Sequence, residues 1–202
     1  FCIRKSNEGL KEYDKELVRI YREMLQHGLY GHTPDEYFDL SHYRNMLLAA
    51  LDVNDLEFIE ELINDYSKHL SPQYIDDMVN FSKAKLFFAR NNTGASLSYA
   101  SKVKQDFFLF KTDIKILQLQ LYFDSGYFEE LFSLIDSFRH FISGSIDIPD
   151  SRKSRYMSFL KHLSAITRIK IHFNDEKKNR IIEELEASKE IALRSWLLSR
   201  IP

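Results

Sequence analysis

The feature that most constrains this chain is the run at residues 113–138, DIKILQLQLYFDSGYFEELFSLIDSF. Ile114, Leu117 and Leu121 fall on one helical face and Ile116, Leu119 and Phe123 on another, which predicts a helix buried on two sides. Asp124, Ser125 and Gly126 then break it, glycine being the residue that most cheaply takes the left-handed conformation ending a helix. Beyond the break, Phe128, Leu131, Phe132, Ile135, Phe138 and Ile142 form one stripe, with Glu129, Glu130, Ser133, Asp136 and Arg139 away from it. The run therefore reads as one helical hairpin with more apolar surface than it can bury alone.

The rest of the composition agrees. Phe (16) and Tyr (11) are plentiful while Gly (6) and Pro (4) are too scarce for the many turns of an all-β fold, so helices are expected throughout the 202 residues. A formal net charge of −2 gives no global attraction to nucleic acid or acidic membranes, so any such binding must be local. The single cysteine, Cys2, excludes an internal disulfide and a thiolate metal cluster, and suits a reducing compartment. No apolar run approaches the roughly 20 residues of a membrane span, and FCIRKSNEGL lacks a signal-peptide core. A cytoplasmic location away from the membrane is expected. Because the chain opens on Phe1, with FCI running straight into charged residues, it reads as a C-terminal fragment of a longer protein.

Taken in order, Leu10, Tyr13, Leu17, Ile20 or Tyr21, and Met24 give a first helix, and the glycines and proline at residues 28–34 end it. Residues 41–51 form the second. Leu56, Ile59, Leu62, Ile63 and Tyr66 mark the third, whose exposed side carries Glu57, Glu60, Glu61 and Asp65. Ser71-Pro72 starts a fourth with a cap and a proline at the first helical position. A short helix presenting Leu97, Ala100 and Val103 precedes the hairpin. After a loop at residues 143–149, Asp150 caps a long helix with Tyr156, Phe159, Leu160, Leu163, Ile166, Ile169 and Phe173 as its buried stripe. Two more helices close the chain. In the last, Trp196 and Leu197 face inward and Lys189, Arg194 and Arg200 outward, as in a terminal cap.

The sharp turns lie near Gly9, Asn54, Gly94, Gly126 and Asn174, at intervals of 45, 40, 32 and 48 residues, within the range of antiparallel helix-pair repeats. Leu119, Tyr122, Gly126, Phe128, Leu131, Ile135 and Phe138 resemble a tetratricopeptide repeat, with Leu119 where that family has a small residue and Leu131 where it usually has Ala. Small residues allow close helix approach, so these departures imply wider spacing with larger side chains between the helices. Ala84, Phe87 and Gly94 in the preceding pair match more weakly. CIRKSNEG, YRNMLLAALDVNDLEFIEELINDY, YFDSGYFEELFSLIDSF and WLLSRI together resemble the C-terminal half of uncharacterised bacterial proteins built from degenerate helical repeats, a resemblance that brings no activity with it.

Chemistry-bearing motifs are sparse. The seven histidines (27, 32, 42, 69, 140, 162 and 172) form no HExxH or HxxxH pair and no Glu-x-x-His, so no metal centre is expected. His27 and His32 flank a loop, and a helical enzyme completed by further chain would use that loop. Glu23, one turn before His27, explains that histidine by a hydrogen bond across one turn. Glu60 with Glu61, Glu129 with Glu130, and Glu183, Glu184 with Glu186 each lie opposite an apolar stripe and read as solvated faces. No GxSxG, GxGxxG or GxxxxGK[ST] occurs. Residues 150–180 hold nine basic side chains against three acidic ones, and Arg152, Arg155, Lys161 and Arg168 form a basic patch able to meet phosphates or an acidic partner. The wet side of a long helix beside an acidic one reads the same way.

These readings converge on an all-α chain of about ten helices, arranged as one domain over residues 1–202: a right-handed α-solenoid of antiparallel, tetratricopeptide-like pairs. The expected function is a non-catalytic scaffold without cofactor or metal, holding a peptide or helix of a protein partner in a concave groove. Asn45, Lys83, Lys115 and Gln118, polar exceptions on otherwise apolar helices, are the candidate contacts. The alternative is a nucleic-acid-associated helical repeat using the basic segment 152–180.

Overall fold

The computed structural model describes residues 12–30, 36–104, 111–188 and 190–202. Among them the chain is all-helical, with ten α-helices and no strand. These are α1 (Glu12–Gln26), α2 (Leu40–Asp52), α3 (Leu56–Glu61), α4 (Pro72–Ala89), α5 (Thr93–Ala100), α6 (Lys111–Ser125), α7 (Phe128–Gly144), α8 (Asp150–Ile171), α9 (Asp175–Ala187) and α10 (Arg194–Leu198). Helix α3 runs on through a π turn, Leu62–Tyr66, and a 3-10 turn, Ser67–His69. The chain gathers into two compact units, Phe1–Leu117 and Gln118–Pro202. The turn expected at Gly9, Cys2, His32 and the outward face assigned to Lys189 lie outside the described residues.

Four helices end by the same device. Gly28, Asn54, Asn91 and Gly126 are left-handed, with φ of 68°, 57°, 57° and 76°. At the last, Gly126 N–H donates to Phe123 O at 3.2 Å and Tyr127 N–H to Tyr122 O at 2.9 Å. Asn54 and Asp55 donate likewise to Leu51 and Ala50, at 3.1 and 2.8 Å, and Asn91 and Asn92 to Phe88 and Phe87, at 3.0 and 2.9 Å. Each pair of bonds uses two carbonyls that a helix end otherwise leaves orphaned. At two corners the next residue opens the following helix: Asp55 accepts from Phe58 N at 3.0 Å, and Asn92 from Ala95 N at 3.1 Å. The sequence placed the middle corner at Gly94, but Gly94 sits inside the first turn of α5 and Asn91 takes the strained conformation, which asparagine tolerates better than most side chains. No left-handed residue joins α8 to α9, where Asn174 caps α9 by accepting from Lys177 N at 2.8 Å.

In the first unit, α1 packs on α2, α2 on α3 and on α4, α3 on α4, and α4 on α5. Tyr43, Met46, Leu47, Phe58, Ile59, Leu62 and Phe81 are fully buried at its centre. Burial pushes the Tyr43 hydroxyl up to about 12. Helix α1 buries Val18, Tyr21 and Leu25, one position on from the expected Leu17 and Met24. Arg22 on the same helix explains the rotation. Its guanidinium donates to both Asp55 oxygens at 3.0 Å and to Glu61 at 2.6 Å, and lies 4.6 Å above the Phe58 ring. Small residues let α4 and α5 approach closely: Ala84, Ser96 and Ala100 are buried, and Ser96 Oγ donates to Ala84 O at 2.7 Å.

In the second unit, α7 packs on α8, α8 on α9 and on α10, and α9 on α10. Leu119, Leu121, Phe123, Leu131, Phe138, Phe159, Leu160 and Leu163 are fully buried. The Trp196 ring of α10 lies 5.7 Å from Phe123 and 6.4 Å from Phe159. Arg200, expected to point outward, turns back to Asp124 with bonds of 2.7 and 3.0 Å. Phe173, expected in the buried stripe of α8, is 60% exposed because α8 stops at Ile171.

Asp55 holds two jobs, capping α3 and receiving Arg22. Replacing it with Ala is expected to cost about 2 kcal/mol, of which the cap is about 1. Asp55→Asn keeps the cap and is expected to lose less, a difference readable from urea unfolding midpoints.

Candidate functional site

Helix α8 is wrapped by apolar neighbours along most of its second half: Phe159, Leu160, His162, Leu163, Ser164, Ile166, Thr167 and Ile169 are all buried. Lys161, Ala165 and Arg168 escape this cover at intervals of four and three, so they share a single line on the helix, and His172 follows at its C-cap. Helix α9, held against α8 by Ile181 and Leu185, offers Lys177, Arg180 and Glu184 at intervals of three and four. The two lines, with Arg139 of α7, enclose a cleft of about 670 Å³. Five Lys or Arg side chains and two histidines line it, against one carboxylate.

That carboxylate sits at the focus. Glu184 accepts from Lys161 Nζ at 2.8 Å and from Arg180 Nε at 3.1 Å, and its Oε2 lies 3.3 Å from His162 Nε2. The hydrogen bond from Lys161, with that from Arg180 behind it, holds the Glu184 carboxyl below its ordinary value against the opposing effect of burial. The His162 ring is only 4% exposed. Its Nδ1 lies 2.7 Å from Ser158 O, and a carbonyl only accepts, so Nδ1 carries a hydrogen. Its buried Nε2 makes no hydrogen bond. Elsewhere around the cleft, Arg139 pairs with Asp136 at 3.1 Å and the Arg168 guanidinium stands 5.9 Å from the Phe132 ring.

The four basic positions read from the sequence divide. Lys161 and Arg168 line the cleft, whereas Arg152 and Arg155 are exposed nearer the start of α8 and do not. Nine residues at 100° each put Arg152 roughly half a turn from Lys161. The sequence reading gave Arg139, His162 and His172 no site role, counted Lys177 and Arg180 only within the basic segment 152–180, and placed Glu184 on a solvated face. The available signal was the helical spacing of 177, 180 and 184, three then four, beside that of 161, 165 and 168, four then three.

The proposed groove contacts are more scattered. Asn45 is exposed on α2, and Lys83 on α4 places its ammonium 5.5 Å from the Tyr99 ring. Lys115, half-buried on α6, titrates below an ordinary lysine because of burial, with repulsion from Lys111 adding to it. Gln118 is half-buried on α6 in the second unit. No hydrogen bond or ion pair joins Asn45, Lys83 and Lys115 among the described residues. The Glu23 carboxylate, expected to serve His27, pairs with Arg19 instead, while His27 N–H donates to the Glu23 carbonyl at 3.1 Å.

Among the described residues no three His, Cys, Asp or Glu side chains are grouped to hold a metal ion, and no helix is long and apolar enough to cross a membrane. Comparison with known protein families, with curated proteins and with solved structures finds no match.

The Glu184 shift has a defined sign. A carboxyl lowered in the fold contributes stability that is complete above its unfolded value of 4.5 and fades as pH falls through the lowered value. The stability margin of wild type over Glu184→Gln is therefore expected to hold above pH 4.5 and to shrink below it, measured by urea unfolding across pH 2.5–7.

Proposed function

We propose that this chain is a non-catalytic interaction scaffold, a right-handed, tetratricopeptide-like stack of antiparallel helix pairs that holds an acidic segment of a protein partner. The observation that carries the reading is the cleft between α8 and α9, where five basic side chains converge around one carboxylate. Repetition supports the stacked arrangement. The left-handed corners at 54, 91 and 126 join α2 to α3, α4 to α5 and α6 to α7, at intervals of 37 and 35 residues, close to the tetratricopeptide period of about 34. Within each unit a helix also meets the next but one: α2 touches α4, and α8 touches α10. That is how pairs lean on one another in a stack.

In this reading the cleft is the principal recognition surface, with Asn45, Lys83, Lys115 and Gln118 as a second set of polar contacts. Titrating the full chain with a fluorescent peptide rich in Glu and Asp distinguishes the two surfaces. Lys161→Glu with Arg180→Glu is expected to weaken binding about tenfold or more, and Arg152→Glu with Arg155→Glu much less. Loss in Asn45→Ala/Lys83→Ala/Lys115→Ala/Gln118→Ala alone would move recognition to the groove. Absence of binding to any acidic peptide would remove the proposal.

One observation favours the nucleic-acid alternative: Arg152 and Arg155 extend the positive charge of α8 beyond the cleft. That reading requires oligonucleotide affinity that falls steeply between about 50 and 200 mM salt.

A further inference from the structure

Resting on the scaffold reading, we infer that the cleft between α8 and α9 is a phosphate-monoester site, built to take one phosphorylated side chain of the partner, with Glu184 as its internal placeholder. Three nitrogens from two helices, Lys161 Nζ, Arg180 Nε and His162 Nε2, lie 2.8, 3.1 and 3.3 Å from a single anionic group. The placeholder satisfies only part of this set. His162 is buried with Nδ1 committed to Ser158, so Nε2 faces the carboxylate without a hydrogen bond. A phosphate monoester offers three acceptor oxygens and a larger negative charge, so it can meet Nε2, which a carboxylate with two oxygens leaves unmet, as well as Lys161 and Arg180.

Charge and room agree with this assignment. A phosphate of about −2 with three acceptor oxygens matches a cleft whose remaining basic groups, Arg139, Arg168 and Lys177, are not engaged by Glu184. Lys161 and Arg180 have side chains 66% and 80% exposed, so they are free to turn from Glu184 to an incoming anion. Asp136, bonded to Arg139, and Asp175 and Glu176, just ahead of Lys177, set exposed carboxylates beside lining residues, which favours one compact anion over a long chain of them.

The test uses the full chain and two small anions of similar shape, phenyl phosphate and benzoate, followed by calorimetry and by histidine NMR. Phenyl phosphate is expected to bind at least about tenfold more tightly than benzoate and to shift the His162 ring resonances. Glu184→Gln, which keeps the side-chain shape and removes the competing charge, is expected to tighten it several-fold, and Lys161→Glu with Arg180→Glu to abolish it. Phosphoserine and phosphotyrosine peptide mixtures are expected to outcompete a 5′-phosphorylated oligonucleotide at 150 mM salt. Equal binding of the two small anions, weaker binding in Glu184→Gln, or preference for the oligonucleotide would overturn the inference. If acidic peptides still bind at the cleft while phenyl phosphate shows no advantage, the phosphate assignment falls and the scaffold reading stands. If phosphate binds and acidic peptides do not, the assignment stands and that reading falls.

Discussion

Closing a helix and opening the next within two residues is the constraint on which the rest of this chain depends. A helix end leaves carbonyls and amides without partners, and between tightly packed helices water cannot supply all of them. Asn54-Asp55 and Asn91-Asn92 solve both ends at once, the first residue turning left-handed and the second capping. Because the link is so short, the two helices it joins stay neighbours, and α2 packs on α3 as α4 packs on α5.

Side chains then decide how close each pair comes. Between α4 and α5 the buried Ala84, Ser96 and Ala100 permit extensive close backbone approach. In the second unit the fully buried Leu119 and Leu131 stand where the tetratricopeptide-like pattern has small residues, and leucine fills more room.

The helices were legible because apolar periodicity and turn residues are local signals. The two-sided burial of α6, the Gly126 break and the Pro72 start all stand where the residues put them. What the sequence hid was relational. The face of α1 turned by one residue because Arg22 reaches Asp55 and Glu61, 33 and 39 positions away. Phe173 keeps the helical spacing of its neighbours but falls past the end of α8. The cleft was half visible: Lys161 and Arg168 are on the right line of α8, yet the facing line of α9 gains meaning only once Ile181 and Leu185 set the distance between the helices. His162, embedded among apolar residues, carried no signal of its own.

The last turn of helix α9 takes a partner from the next helix. The Arg194 guanidinium donates to the Leu185 carbonyl and reaches the Glu186 carbonyl at 3.5 Å, while Leu193 beside it is held at φ 51°. Arg194 thus belongs to α10 by sequence and to the end of α9 by hydrogen bonding, so the loosening of either helix removes a contact from the other.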